Sequence, residues 1–532
     1  MSFENVIIKD WRKIDLSFGL IYPNLFRLGM SSYSIRLLYS FINSFENAVC
    51  ERIFLPDVKI TFPASKDYSP MNLIRSMENR VQPIDFDILG FSLHFENDFK
   101  NILWLLEKAN IPLTFSERQV AGKKIKDIPL IIGGGPVITS NPLPLSKFFD
   151  ILFIGDSEPN LKLFFEAFLE FKNNESSFSE FLENARRIEG IFIPSLGNNV
   201  RRAILKNLDE SPNPTFQLLS KVPEEDKIFG ENFFVEVNRG CPYQCKFCIS
   251  SFHNSPFRNR SYENIMSIIE NGIKNTSFET VSLIGSCVSS HPKFKQICNF
   301  IINTGKRLTI PSIRVEHLNK ELIHLLERGN IKVITLAPET GSETLRYSLG
   351  KMISNVKIFS VLTHIRASAI KNVKLYFLIG LPNETYENIH EIITFLKDIE
   401  NIGFEKNTLK ININPFIPKL NTPFEKEVDN YYENNSKDLI KKYQLLEKEL
   451  KHLSPLKLKF TNFKMLFKNA RLQTMISLGD EKISDLLLNY YFNGANFSAL
   501  QKSEKETDFV LDDYLTKIKN CYNPWNAYLE KN

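Results

Sequence analysis

Apolar residues in the first third of the chain come in short solid runs rather than in alternation. IDLSFGLIYP, FDILGFSL, IPLIIGGGP and FDILFIGD are nearly unbroken, and segments of helical spacing separate them. A strand that is apolar on both faces must be covered on both, which predicts parallel strands with helices on either side: a doubly wound sheet over about residues 14–165. A polar connector, NNESSFSEF, and a basic, hairpin-like stretch at VRRAILKNL lead towards residue 230. A second alternation then begins. FFVEVNR, TVSLIG, LTIPSIRV, KVITLAPE, VKLYFLIG and LKININPF read as strands, with SYENIMSIIENGIK, LNKELIHLLERG and YENIHEIITFLKDIE as amphipathic helices between them. About six such units predict a partial β/α barrel, whose chemistry gathers at the C-terminal ends of the strands. After Pro418 the pattern turns helical and basic.

The predicted fold class is therefore α/β. A Rossmann-like doubly wound domain spans 1–170, a connector 171–230, a partial (β/α)6 barrel 231–425 and a mainly helical region 426–532.

Length and composition agree with this division. A chain of 532 residues exceeds one ordinary core, and 43% apolar with 24% charged residues is the balance of a folded globular protein. The net charge of +5 is too small over this length to imply nucleic acid. Ten Lys or Arg against three Asp or Glu between Lys437 and Arg471 form a local basic stretch. It reads as a solvated amphipathic face ahead of a docking surface for nucleic acid or an acidic partner. The 44 Phe, with abundant Lys, Asn and Ile, read as compositional bias. MSFENVIIKDWRKIDLSF has no basic segment followed by a long apolar one, and the apolar runs fall short of a membrane span. A cytoplasmic protein without membrane partners is expected.

Seven cysteines argue against a disulfide framework, because Cys50, Cys287, Cys298 and Cys521 are scattered while Cys241, Cys245 and Cys248 are grouped. FFVEVNR runs directly into GCPYQCKFC, so these three leave the first barrel strand in one loop. Thiolates are soft ligands suited to zinc or iron–sulfur, and three of them leave one iron of a cubane open. The competing reading is a structural zinc with His253 as fourth ligand, but such sites pair their ligands on knuckles rather than follow a barrel strand. Cys287, after Gly285 and Ser286 at the end of the second strand, is a candidate catalytic thiol. Burial as a small apolar residue is the favoured alternative for it.

This Cys-x3-Cys-x2-Cys loop resembles that of the radical S-adenosylmethionine (SAM) superfamily. The resemblance implies a 4Fe–4S cluster on Cys241, Cys245 and Cys248, whose open iron is chelated by the methionine end of SAM. The reduced cluster then cleaves the sulfonium to a 5′-deoxyadenosyl radical. It further implies Phe247 near the adenine, Gly285 and Ser286 near the methionine amino group, and Ser312 and Arg314 on carboxylate and ribose. Glu339 of APETGS ends the fourth strand, and Ile379, Gly380, Leu381 and Pro382 of FLIGLPNET turn backbone towards the adenine. An electron donor such as a ferredoxin or flavodoxin is implied as partner.

YPNLFRLGMSSYSIRLLYSFIN, ERIFLPD, IIGGGPVITSNPLP and the late NPW resemble the branch whose barrel is preceded by a cobalamin-binding-like domain. The Asp-x-His-x-x-Gly segment that ligates cobalt is absent. A cobalamin groove would run over Ser92, His94, Gly133, Gly134 and Gly135, without ligation by histidine. Hydrogen abstraction, or methyl transfer with cobalamin, is the expected reaction class. One alternative is a methylthiotransferase acting on RNA or protein, which needs three further N-terminal cysteines where this chain has only Cys50. The other is a non-catalytic iron–sulfur adaptor, which has no use for a cofactor pocket.

Overall fold

The computed structural model describes residues 2–64, 74–120, 128–173, 175–221, 232–432, 435–453, 456–458 and 462–530. The chain divides into two compact units. The first comprises 1–231, 473–511 and 522–532, the second 232–472 and 512–521. The tail that reads in sequence as one helical region from 426 is thus shared between two bodies.

In the first unit, β1 (Leu16–Leu25), β2 (Ala48–Leu55), β3 (Ile88–Ser92), β4 (Leu130–Gly134), β5 (Ile151–Phe153) and β6 (Ile191–Phe192) form one sheet. Its order is β2-β1-β3-β4-β5-β6, parallel except for β6. The order reverses between β1 and β3, the switch point at which doubly wound sheets bind ligands. β2 is not read from the apolar pattern because Glu51 and Arg52 interrupt it, yet all eight residues are buried. Paired charges make this tolerable. Arg52 bonds Glu78 at 2.7 Å, while Glu51 accepts from Trp11, Ser76 and Asn79. The stretch around VRRAILKNL is no hairpin. It makes single parallel bridges, Gly155 to Ala203 and Val200 to Leu529, the second with the chain's last segment.

The phenylalanines are structural. Phe18, Phe164, Phe165, Phe168, Phe171 and Phe181 meet in one core, with Phe164 against Phe153 at 5.1 Å and Phe171 stacked on Phe181 at 5.6 Å.

In the second unit, β7 (Asn232–Glu236), β8 (Thr280–Ile284) and β9 (Arg307–Thr309) form one parallel sheet, ordered β9-β8-β7. β10 (Val333–Glu339), β11 (Asn372–Ile379), β12 (Leu409–Pro415) and β13 (Leu456–Leu458) form a second, in sequence order. Helices Tyr262–Asn275, Phe294–Asn303, Lys320–Arg328, Asn355–Arg366 and Tyr386–Glu400 alternate with the strands. One face of each strand packs outward on these helices. Val373, Leu375, Phe377 and Ile379 of β11 are fully buried, and Phe377 meets Phe395 of the last helix at 5.9 Å. The other face, where exposed and half-buried residues alternate with them, lines the barrel interior.

Among the described residues no helix is long and apolar enough to cross a membrane. In the basic stretch Lys437–Arg471, residues 454, 455 and 459–461 lie outside those described.

Because Phe164 is fully buried at the centre of the aromatic core, Phe164→Ala is expected to cost about 3–5 kcal/mol. A lowered urea midpoint checks this.

Candidate functional site

The chain leaves β7 through Asn238 and Arg239, which pair antiparallel with Asn259 and Arg258, and then turns at Gly240. Gly240 has φ +79°, and a Cβ there would lie 2.4 Å from the Asn254 carbonyl and 2.9 Å from that of Pro256. Only glycine combines the left-handed backbone with that approach. The loop beyond is fixed by its own backbone: Cys248 N–H donates to the Cys245 carbonyl at 3.0 Å, and Lys246 N–H donates to the Leu349 carbonyl at 2.9 Å.

Cys241, Cys245, Phe247 and Cys248 wall a cavity of about 430 Å³ together with Ser286, Cys287, Ser312, Arg314 and Glu339. Nine of the residues singled out by sequence therefore share one space. Among the described residues, no three His, Cys, Asp or Glu side chains converge tightly enough to hold a single ion. His253 Nε2 instead meets the Leu420 carbonyl at 3.1 Å. Three soft thiols spread around a roomy wall fit a polynuclear cluster better than a four-ligand zinc site.

Arg314 stands beside the cysteine loop. Its guanidinium lies 3.5 Å from the centre of the Tyr243 ring, pairs with Glu316 and bonds the Cys245 thiol. The Tyr243 hydroxyl meets His317 Nε2 at 2.7 Å, and His317 Nδ1 meets Ser289 at 2.9 Å. Tyr243 is thus a part of the site that sequence reading missed, although its place between the cysteines was the available signal. Glu339 holds a left-handed backbone, φ +66°, and pairs with Lys351 at 2.8 Å. Burial pushes the Cys245 thiol up, against the pull of Lys351 and Arg314. Cys287 bonds Cys241, which draws its thiol down, and its Sγ lies 3.0 Å from Ser290 Oγ.

Gly285, Ile379 and Gly380 do not line this cavity. Gly285 is small because a Cβ would lie 2.2 Å from Asn238 Oδ1. That same Asn238 donates from Nδ2 to the Cys287 carbonyl at 2.8 Å, docking the β8 turn onto the cysteine loop. Gly380 has φ +79°; its N–H donates to Glu384 Oε2 at 2.9 Å, and its carbonyl accepts from Asn430 at 2.7 Å. Ile379 is fully buried on the helix-facing side of β11. The FLIGLPNET turn reaches the site through Leu381, which packs with Phe247, Leu345, Leu349, Phe416 and Phe424.

In the first unit, Ser92 ends the switch-point strand β3 and His94 follows it. His94 Nε2 meets Ser34 at 3.0 Å and Ser92 at 3.2 Å, and its ring lies 5.5 Å from Tyr22. The residue is exposed, yet the protein crowded about it pushes its pKa down to about 4. Gly133 packs against Phe149 and Leu152, and Gly135 against the Leu93 backbone. Gly134 alone of the three leaves open room, its nearest neighbour being Phe153 at 3.6 Å. Cys50 is completely buried in β2, away from any loop that could gather a second cluster.

The sequence matches two known families. Residues 34–194 match the family of radical SAM proteins, N-terminal, and residues 235–396 match the radical SAM superfamily. The chain belongs to the radical SAM superfamily.

An uncharacterized protein of Methanocaldococcus jannaschii is 28% identical to this radical SAM protein, over 94% of this chain and 96% of its own. An uncharacterized methyltransferase of Pyrococcus horikoshii is 25% identical over 52% of this chain and 60% of its own. Among solved structures, the radical SAM methyltransferase TsrM from Kitasatospora setae superposes with TM-score 0.53 at 12% identity, covering 78% of each chain. The cobalamin-dependent radical SAM enzyme OxsB superposes with TM-score 0.51 at 15% identity, over 95% of this chain and 72% of its own. The α/β architecture of parallel sheets is thus that of radical SAM enzymes preceded by a doubly wound unit. Members of the superfamily use a 4Fe–4S cluster and SAM, and they require a reductant and a substrate.

Burial raises the Glu384 carboxyl to about 7 from its ordinary 4.5, against the pull of the Gly380 N–H and Lys442. A raised carboxyl keeps its proton in the folded state while the unfolded chain loses it. The protein should therefore lose stability as pH rises from about 4.5 to about 7. Melting temperatures across that window should show this slope flattened in Glu384→Gln.

Proposed function

We propose that Cys241, Cys245 and Cys248 hold the 4Fe–4S cluster and that the cavity they wall receives SAM. The observation carrying this reading is that one loop's three thiols share a single cavity with Phe247, Ser312, Arg314 and Glu339. When bound, the reduced cluster supplies the electron that cleaves SAM to a 5′-deoxyadenosyl radical. The chain's own residues do the rest. Phe247, held in the apolar cluster with Leu381, offers a face for the adenine. Arg314, already fixed on Tyr243, offers a cation to the methionine carboxylate. Ser286 and Ser312 offer hydroxyls, and Glu339, fixed by Lys351, offers an acceptor to ribose or the methionine amino group. Gly285, Ile379 and Gly380 act at one remove, Gly285 by letting Asn238 tie the β8 turn to the loop. A ferredoxin or flavodoxin is the electron donor in this reading. Free thiols and a reducible cluster fit the cytoplasm.

A second reading adds cobalamin to the first unit, with methyl transfer as the outcome. It is favoured by the likeness in fold to TsrM, described with cobalamin bound, and to OxsB, described as cobalamin-dependent. It also rests on the open position at Gly134 beside the switch point. Cobalt would have no imidazole from this unit, because His94 Nε2 is engaged by Ser34 and Ser92. Titration with hydroxocobalamin tests it: a saturable spectral change unaltered by His94→Ala supports it, and no change rules it out. The methylthiotransferase reading is weaker, since the putative methylthiotransferase of Methanocaldococcus jannaschii matches over only 35% of this chain.

Anaerobic reconstitution should yield about four iron per chain, with thiolate-to-iron absorption bleached by dithionite. Cys245→Ala should lose that signal, and a triple Cys→Ala variant that kept a full cluster would overturn the assignment. Arg314→Ala should weaken SAM binding by about 1.5–3 kcal/mol, read by anaerobic equilibrium dialysis. Cys287→Ser should keep full iron content while changing turnover on a substrate, the result expected of a thiol beside the cluster rather than a ligand to it.

A further inference from the structure

The inward faces of β10, β11 and β12 carry an unbalanced charge. Residues paired in register across parallel strands share a face, so Thr335, Lys374 and Lys410 form one layer of the interior, Lys457 of β13 follows in the same register, and Tyr376 and Asn412 form the next layer. Thr335 and Tyr376 belong to the cavity wall that also holds the three cysteines. Lys374 is half-buried and Lys410 exposed, and neither has an ion-pair or hydrogen-bond partner among the described residues. The Asn412 amide nitrogen is out of solvent and also lacks a partner among the described residues. The acids at the strand ends are already committed: Glu236 to Arg239 and Arg260, and Glu339 to Lys351. Among the described side chains, two ammonium groups without an acid partner therefore stand on neighbouring strands, roughly 4.8 Å apart in backbone, with an amide donor that has no described partner one layer above.

We propose that the substrate carries an acid group, a carboxylate or a phosphate, which Lys374 and Lys410 receive inside the barrel while Asn412 donates to one of its oxygens. Like charges side by side repel, and an anion between them removes both that repulsion and the orphaned donor. The anion layer lies about 6.6 Å along β11 from Tyr376, so the body of such a substrate extends from its acid group towards the cavity walled by the cysteines. The inference rests on the radical SAM reading of that cavity and names the substrate class for it.

The test uses the full chain, anaerobically reconstituted, with inorganic phosphate and succinate as probes. Phosphorus line broadening reads the first and saturation-transfer proton NMR the second. Saturable binding of at least one anion is expected, weakened about tenfold or more in the Lys374→Gln/Lys410→Gln double variant and retained with arginine at both positions. Phosphate alone would identify a phosphorylated substrate, succinate alone a carboxylic one, and both would leave the shared acid group. Lys371→Gln, exposed and paired with Glu405, should change nothing. Absence of saturable binding to wild type, or equal affinity in the double glutamine variant, would overturn the proposal. Iron content of the same wild-type preparation separates the two failures. A chain that builds its cluster but binds no anion refutes only this inference, whereas one that builds no cluster refutes the reading beneath it.

Discussion

Everything proposed for the second unit depends on how the chain turns as it leaves β7. Three cysteines can face one space only if the loop between them is held, and here backbone contacts hold it. Gly240 passes in a left-handed conformation within contact of the Asn254 and Pro256 carbonyls, where any side chain would collide. Lys246 is bonded through its backbone to Leu349, beyond β10, so the loop is tied to the far half of the barrel as well as to β7. Asn238 closes the arrangement by bonding the turn after β8, a contact that only glycine at 285 permits. A loop fixed in this way brings less conformational entropy to be lost when its thiolates take up a cluster.

Around that loop, buried charges come in compensated groups. Arg314 is held by Glu316 and by the face of Tyr243; Glu339 is matched by Lys351; Glu236 by two arginines. Such pairing offsets the cost of taking each charge out of water and holds it in one orientation. It also sets off half-buried Lys374 of β11, which pairs with no acid among the described residues and shares a layer with exposed Lys410 of β12. In the first unit the corresponding economy is aromatic. Phenylalanines fill the space between sheet and helices, and buried charge is confined to networks such as Glu51, Arg52 and Glu78.

Glu339 and Glu384 illustrate two uses of a carboxylate at a strand end. Glu339 occupies a backbone conformation unfavourable to a residue with a side chain, held there by its bond to Lys351. Arg346 supports the same turn, donating to the carbonyls of Pro338, Thr340 and Ile353. Glu384 is turned inward instead, to cap the Gly380 amide, and its carboxyl titrates near neutrality because water is excluded. One faces the cavity; the other holds a turn that does not line it.

The sequence by itself determined the class of each body and the centre of its chemistry. Solid apolar runs can be satisfied only between layers of helices, and three thiols within eight residues admit few explanations, so both signals are local and survive without coordinates. Tertiary structure decided what depends on distant partners. β2 was hidden because Glu51 and Arg52 read as a break until Glu78, Trp11, Ser76 and Asn79 come to meet them. Gly285 and Gly380 look alike as glycines at strand ends, yet one makes room for Asn238 and the other is bonded by Glu384 and Asn430. The division of the helical tail between two units, and the two lysines that share a layer from segments 36 residues apart, also lie beyond any local pattern. Register and burial are properties of pairs, and a chain read one residue at a time carries no record of which pairs will form.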